Sequence, residues 1–247
     1  MATDAHRACA GWLAVAWLAA GAPALAEAEP DHARGAALFR SYCAVCHGPE
    51  GRGDGAIARG LDPRPRDFTA GMYRLRSTPS GELPTDQDLL RTLSHGIPGT
   101  AMPGWAGMPE ADLRALIVHL RALSPRFAEE EPAAPIDVPT ASITSSASVP
   151  RGRALYAAMQ CDRCHGPGGR GDGPAARELV DSTGLPIAPF DLTRSWKLKN
   201  GRSRADLFRT LRTGLDGTPM PSYADSLSPE ETWALADFLA TLFLDGP

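Results

Sequence analysis

Apolar side chains recur at every third or fourth position in several stretches of this chain, which is the spacing of one helix face. The stretches 34–44 and 151–163 both show this spacing, and each leads directly into a pair of cysteines. Alternating patterns typical of strands are weak throughout the sequence. We therefore predict an all-α fold in which each half of the chain forms a small helical domain.

Further helices are indicated by the residues that begin and end them. A helix is predicted at 86–94, and Gly96 is placed as its C-terminal stop. In the second half, the equivalent helix is predicted to start at Ser203 and to stop at Gly214. The last helix is predicted to begin at Ser228, which is followed by a proline and, at the third position, by an acidic residue.

The two halves are copies of one unit. A Cys-x-x-Cys-His motif, the Gly-Arg-Gly-Asp-Gly sequence after it and a later Gly-Thr-x-Met-Pro sequence each occur twice, 118 residues apart. Duplication supplies an internal test, because a residue essential to the unit's chemistry should occur in both copies. Each Gly-Arg-Gly-Asp-Gly sequence is predicted to form a tight turn, since neither copy follows a strand or contains the lysine of a phosphate-binding loop.

The composition is that of an ordinary globular protein, with 247 residues of which 43% are hydrophobic and 22% are charged. A formal net charge of -4 offers no basic surface, so nucleic acid is not a predicted partner. The acidic excess lies in a stretch rich in Pro, Ser and Thr, which indicates a flexible or extended linker. The predicted organisation is a signal peptide at 1–26, a first domain at 27–126, a linker at 127–149 and a second domain at 150–247.

The N-terminal segment is typical of a cleaved secretory signal. No charged residue occurs between Ala8 and Ala26, and small residues follow a short apolar run. An uncleaved anchor is the alternative, since the run approaches the roughly 18 residues that span a bilayer. No other stretch is long and apolar enough to span, so we predict an exported protein with no membrane span in the mature chain.

The most specific signal in the sequence is the repeated Cys-x-x-Cys-His motif. On a helix these positions share a face, so two thiols and an imidazole converge on one object. The motif is the signature of c-type haem attachment, in which the thiols form thioethers with the porphyrin and the histidine binds the iron. We predict two covalently bound haems c, which also supply core mass to units with few aromatic residues. The predicted thioether residues are Cys43, Cys46, Cys161 and Cys164, and the predicted iron-binding histidines are His47 and His165.

Three other uses of paired cysteines stay open. A thioredoxin-like redox pair would need alternating strands and helices, which the pattern lacks. A zinc site fits the cysteine spacing, but it does not require a histidine directly after each pair. A pair of disulfides is the third alternative, since exported chains with an even number of cysteines commonly form them.

The second axial ligand of each iron is predicted to be a methionine. Met102 lies 55 residues after His47, and Met220 lies 55 residues after His165; no other methionine of the mature chain recurs in this way. Both lie in loops rich in Gly and Pro rather than on a helix face. His95 is a competing ligand for the first iron, but a threonine takes its place in the second unit.

Ligation by histidine and methionine fills all six positions of the iron, which leaves none for peroxide, oxygen or another substrate. The remaining chemistry is the transfer of one electron at a time, through an exposed porphyrin edge and small transient contacts with partners. Two pairs of basic residues could meet haem propionates or an acidic partner, and we predict that they are solvated. These pairs are Arg74 with Arg76 and Lys197 with Lys199.

Each unit resembles a class I cytochrome c domain, and the mature chain resembles the tandem dihaem cytochromes c of bacterial periplasmic electron-transfer chains. The resemblance implies a periplasmic location and redox partner proteins, among them a dehydrogenase or a terminal oxidase. It also implies that Phe39 and Tyr156, on the first helix of each unit, pack against the last helix near His119 and Phe238.

The predicted function is therefore that of an electron carrier and not of an enzyme. Two alternatives stay open. One is an enzyme similar to dihaem peroxidases, in which one iron has an open position. The other is the cytochrome subunit of a larger dehydrogenase or oxidase complex.

Overall fold

The computed structural model describes residue 1 and residues 32–140 and 147–244. These ranges contain nine α-helices and two short 3-10 helices, the latter at Ala58–Gly60 and Ser195–Lys197. In the described part, the only strand-like pairing is an isolated bridge between Val180 and Pro186. The all-α prediction is confirmed. The α-helices are α1 (His32–Tyr42), α2 (Ala44–His47), α3 (Asp86–His95), α4 (Glu110–Ala122), α5 (Arg126–Glu129), α6 (Ser148–Ala158), α7 (Cys161–His165), α8 (Arg204–Thr213) and α9 (Pro229–Ala240).

The predicted signal peptide at 1–26 lies, apart from Met1, outside the described residues. Among the helices that the structure describes, none has the length and apolar character needed to cross a bilayer.

Capping residues begin and end the helices where the sequence places them. Thr85 begins α3, Ser203 begins α8 and Ser228 begins α9, and each of these side chains accepts a hydrogen bond from the backbone N–H three residues later. The acidic residue at that third position accepts a hydrogen bond from the capping residue's own N–H, which completes a capping box. Gly96 and Gly214 follow α3 and α8 with φ of 67° and 63°, a conformation that favours glycine.

The helices that lead into the cysteines are interrupted, although the sequence predicts one helix over 34–44 and one over 151–163. In the first unit the break falls at Cys43, between α1 and α2. In the second unit it includes Gln160, whose φ of 56° is left-handed and cannot continue an α-helix. The second cysteine and the histidine of each motif therefore lie on a short separate helix.

In each unit the first helix crosses the last long helix, so that α1 packs on α4 and α6 packs on α9. A glycine lies at each crossing. A Cβ atom added at Gly35 would lie 2.0 Å from the carbonyl oxygen of Ala115, and one added at Gly152 would lie 2.0 Å from that of Ala234. Because no side chain fits there, these two glycines allow the helix backbones to approach closely.

Aromatic contacts reinforce the same crossings. The rings of Phe39 and His119 are 5.0 Å apart between centroids, and those of Tyr156 and Phe238 are 5.3 Å apart in an edge-to-face arrangement. Both contacts expected from the cytochrome c resemblance are therefore confirmed. His119 also contacts His32, with their ring centroids 5.2 Å apart.

Two apolar clusters form the cores, one in each unit. In the first, Cys43 and Met102 border buried side chains of α1, α3 and α4. In the second, Met220 borders a cluster that contains Cys161 and side chains of α6, α8 and α9. The motif cysteines and the recurring methionines thus lie around the same core in each unit.

The described part of the predicted linker contacts both units. Phe127, on α5, is buried in the first core. Further along, the backbone N–H of Ile136 donates to the carbonyl oxygen of Ser77 at 2.8 Å. Val138 then packs against the second core. In the described residues, this segment is extended after α5 and is held against the two domains.

A buried arginine joins the two units directly. Arg76 is fully buried, and its Nη2 donates to the carbonyl oxygen of Thr213 at 2.9 Å and to Asp216 Oδ1 at 2.8 Å. Asp216 also accepts hydrogen bonds from Ser80 Oγ and from the backbone N–H of Gly81. The prediction that Arg76 is solvated is wrong, because its ion-pair partner lies in the other domain.

The contact between the units is reciprocal. Arg74 Nη2 donates to the carbonyl oxygen of Gly217 at 3.3 Å, in the methionine loop of the second unit. At the matching place in the first unit's methionine loop, a Cβ atom added at Gly99 would lie 3.0 Å from Cβ of Lys197. Arg74 and Lys197 are the first members of the two basic pairs, so each unit presents this member of its pair to the other unit's methionine loop.

Candidate haem sites

The two motif histidines are held in the form that binds a metal. His47 ends α2 and His165 ends α7. Nδ1 of His47 lies 3.2 Å from the carbonyl oxygen of Arg66, and Nδ1 of His165 lies 3.0 Å from that of Phe190. Because a carbonyl oxygen only accepts, Nδ1 carries the proton and Nε2 keeps its lone pair. Burial lowers the pKa of both rings, which keeps them neutral and suited to bind iron through Nε2.

The four motif cysteines, Cys43, Cys46, Cys161 and Cys164, are free thiols in the structure. Burial raises the pKa of Cys43 to about 11 and that of Cys161 to about 11. The thiolate is the species that attacks a disulfide partner, so a raised pKa slows oxidation. Cys43 and Cys161 are therefore poorly suited to be the attacking thiolate of a redox pair.

Each motif histidine is followed by the turn that the repeated glycine-rich sequence predicts. The N–H of Gly53 donates to the carbonyl oxygen of His47 at 2.8 Å, and the N–H of Gly171 donates to that of His165 at 2.9 Å. These bonds close a tight turn directly over the histidine backbone. The interpretation of both sequences as turns agrees with this geometry.

The two methionine loops have the same local geometry. In the first unit, Met102 accepts a backbone hydrogen bond from Ile97 at 3.1 Å, and its own N–H donates to Thr100 Oγ1 at 3.1 Å. In the second unit, Met220 makes the same two bonds, with Leu215 N–H and Thr218 Oγ1, at the same distances. The two methionine loops therefore share the same backbone hydrogen bonds.

His95, the competing ligand for the first iron, lies at the end of α3. Its side chain is exposed, and Nδ1 lies 2.9 Å from the carbonyl oxygen of Arg91. Met102, in contrast, is half-buried against the core that contains Phe39. The geometry favours Met102 over His95 as the group that faces a cofactor in this core.

A large cavity lies at the motif residues of the second unit, and residues of the first unit also line it. The cavity has a volume of about 2030 Å³ and is lined by Cys161, Cys164, His165 and Met220. This volume exceeds the roughly 300–1,000 Å³ of most small-molecule sites. Its apolar wall is suited to a large flat macrocycle. The leucines of this wall are Leu207, Leu211, Leu235 and Leu239.

Several buried polar atoms near the first core lack a partner among the described residues. They include Tyr73 Oη and Trp105 Nε1. An indole N–H can only donate, so Trp105 requires an acceptor that the neighbouring side chains do not supply. A cofactor that carries carboxylate groups would provide one, and these residues fit it. Neither residue lies in a repeated motif, so sequence reasoning had no signal by which to select them.

The surroundings of the two histidines differ. In the first unit, Phe68 stacks on His47, with ring centroids 4.6 Å apart and an angle of 25° between the planes. In the second unit, the corresponding backbone position is Leu192, whose N–H donates to Gly169 just as that of Phe68 donates to Gly51. The two sites therefore share their ligand geometry but not the groups packed beside it.

This fold, with two Cys-x-x-Cys-His helices facing two methionine loops, defines a protein built from two c-type cytochrome domains. The chain belongs to the family described as cytochrome C oxidase, cbb3-type, subunit III, whose sequence model matches residues 30–120 and again residues 147–239. The double match agrees with the duplication in the sequence and with the two cores.

A solved structure is similar over nearly its whole length. It is a chain of the Kuenenia stuttgartiensis reducing HAO-like protein complex Kustc0457/Kustc0458. The two chains are 42% identical, and the match covers 85% of this chain and 96% of that one with a TM-score of 0.83. The similarity therefore includes both domains.

Proposed function

We propose that this protein is an exported dihaem c-type cytochrome that carries electrons one at a time between redox proteins. Cys43, Cys46, Cys161 and Cys164 are the proposed thioether residues. The proposed axial ligands are His47, Met102, His165 and Met220. The observation that carries the proposal is that both units place the same histidine and the same methionine loop around one core, with matching hydrogen bonds.

A bound haem c supplies one-electron exchange between two oxidation states of iron. The chain's own residues orient the ligands for this exchange. The carbonyl oxygens of Arg66 and Phe190 fix the histidine rings, and Thr100 and Thr218 fix the methionine loops. Apolar side chains of the two cores pack beside the proposed ligands Met102 and Met220, which supports sites built to hold a haem.

The protein's partners are proposed from its relatives. The similar solved chain is part of a redox complex, and the name of the family refers to an oxidase subunit. A role as the cytochrome subunit of a larger redox complex is therefore the second candidate function. Co-purification of a stoichiometric partner would favour this role over that of a free carrier. The predicted signal at 1–26 supports a periplasmic location for either form.

The number of haems is tested first by intact mass and a reduced visible spectrum, after expression in a host that attaches haem c. We expect the chain from Glu27 onward plus two haems. A colourless protein at the mass of the bare chain would overturn the proposal.

The axial ligands are tested by replacing Met220 with histidine. Methionine raises the reduction potential relative to histidine, so Met220→His should lower one midpoint potential and leave the other nearly unchanged. Met159→Leu, which changes a methionine packed at the edge of the same core, is the control and should leave both potentials in place. If Met220→His changes neither potential, Met220 is not a ligand.

The enzyme alternative is tested with carbon monoxide. A reduced protein with both irons closed should not bind it promptly, whereas Met220→Ala should bind one equivalent. Prompt stoichiometric binding by the unchanged protein would favour an enzyme with an open iron.

A further inference from the structure

The cavity at the second haem site is not built by the second domain alone. Arg66 and Arg74, both of the first domain, line it together with Cys161 and His165. Arg74 also binds the second unit's methionine loop through the carbonyl oxygen of Gly217. The first domain thus forms one wall of the second domain's site.

This shared cavity carries an excess of positive charge. Eight basic and five acidic side chains line it, in a chain whose formal net charge is -4. Three of the basic groups, Arg66, Arg74 and Lys199, influence one another electrostatically. Like charges at such close range repel, so the cluster is favourable only when carboxylates or another anion compensate it.

The carboxylates of the chain compensate the cluster only in part. Asp181 pairs with Arg74 at 3.3 Å. In the described part of the chain, Arg66 and Lys199 form no ion pair; Asp181 and Asp67 act on Arg66, and Asp62 acts on Lys199, only through space.

One donor of the cluster also lacks an acceptor. Arg74 Nε is buried and has no hydrogen-bond partner among the described residues, although Nη2 of the same guanidinium binds Asp181 and Gly217. A guanidinium presents its donors in a fixed fork that matches a carboxylate. The unpaired Nε therefore indicates that an anionic group belongs beside Arg74.

We propose that Arg66 and Arg74 of the first domain, together with Lys199 of the second, bind the propionate carboxylates of the second domain's haem. The inference rests on the proposed function, because it requires a haem attached at Cys161 and Cys164. It assigns part of the second haem site to the first domain. It also changes the interpretation of two basic residues, Arg74 and Lys199, that the sequence predicted to be solvated.

The test measures the midpoint potentials of both haems between pH 5 and pH 8. It uses the Met102→His variant as background, because the lowered potential of its first haem can be distinguished from that of the second. Loss of a positive charge beside the propionates favours oxidised iron, so Arg74→Gln and Lys199→Gln should each lower the potential of the second haem only. The unpaired propionate should also take up a proton within this range, so the second potential should become more dependent on pH. Arg74→Lys should restore most of both properties.

Asp181→Asn separates propionate binding from a purely structural role of the Arg74–Asp181 pair. If the pair only holds the domains together, Asp181→Asn and Arg74→Gln should change the second potential in the same direction. If Arg74 acts on the propionates, removal of the Asp181 charge should raise that potential while Arg74→Gln lowers it. Arg114→Gln, at an exposed position, should leave it unchanged.

The outcomes distinguish the two proposals. A protein without two haems overturns the proposed function. Two haems with normal spectra, and a second potential that does not respond to Arg74→Gln or Lys199→Gln, overturn only the propionate assignment. A response confined to the first haem would also overturn it, because the cluster would then serve the first domain's own cofactor.

Discussion

Replacing Arg76 with alanine should lower the free energy of unfolding by about 3–5 kcal/mol, the range observed when one partner of a buried ion pair is removed. The guanidinium is fully buried and supplies hydrogen bonds to four acceptors. These acceptors are the carbonyl oxygens of Tyr73, Pro79 and Thr213 and the carboxylate of Asp216. Alanine would leave all four without this donor and would open a cavity between the domains.

The pair itself should account for only part of this loss. Asp216 keeps hydrogen bonds from Ser80 and Gly81 when Arg76 is removed, so its charge is not left fully unpaired. We therefore expect a coupling energy between Arg76 and Asp216 of about 1.5–3 kcal/mol, the usual range for a hydrogen bond to a charged group. The remainder comes from the three carbonyl oxygens and from lost packing.

The assay is urea unfolding of the haem-loaded protein, followed by circular dichroism, for Arg76→Ala, Asp216→Ala and the double variant. Arg114→Ala is the control, because Arg114 forms an exposed pair with Glu110 that should contribute at most about 0.5 kcal/mol. If Arg76→Ala costs no more than this control, or if the two substitutions are additive, the argument that this pair joins the domains is wrong.

Two further predictions concern the helix crossings. Gly152→Ala should destabilise the second domain by about 1–3 kcal/mol, because the added Cβ would overlap the carbonyl oxygen of Ala234. The control is Gly60→Ala, whose Cβ would meet no atom within 4 Å and which should be tolerated. Both variants are measured in the same urea assay. The pKa of His119 is lowered below its usual 6.5 by burial and by the nearby charges of His32 and Arg40. Near and below this pH the unfolded chain therefore binds more protons than the folded protein, so the stability should fall as the pH drops below about 6.5. In His119→Phe this part of the pH dependence should disappear, and an unchanged dependence would show that His119 does not cause it.

The parts of the fold that local sequence determines were predictable. Caps such as Thr85 and Ser228 act on backbone groups three residues away, so their effect is visible in a short window. The placement of the motif residues around each core was predictable for a different reason. Duplication repeats His47 and Met102 as His165 and Met220, and accidental residues do not recur in this way.

The features that were missed depend on distant partners or on single backbone angles. Arg76 looks like a solvated residue until Asp216, 140 positions later, is brought beside it. The helix break at Gln160 depends on one left-handed residue that the apolar spacing does not reveal. The cluster of Arg66, Arg74 and Lys199 forms only when both domains are assembled, so no window of the sequence reveals it.

The reciprocal placement of Arg74 and Lys197 has a consequence for the origin of the molecule. When equivalent residues of two copies contact each other's equivalent loops, the arrangement is that of a symmetric dimer. At this contact the two halves of the chain meet as the copies of a symmetric dimer do. Fusion makes the association of the halves intramolecular, with an effective concentration in the millimolar range for a short connection. Dilution in the cell cannot separate them, so selection was free to make the two halves different.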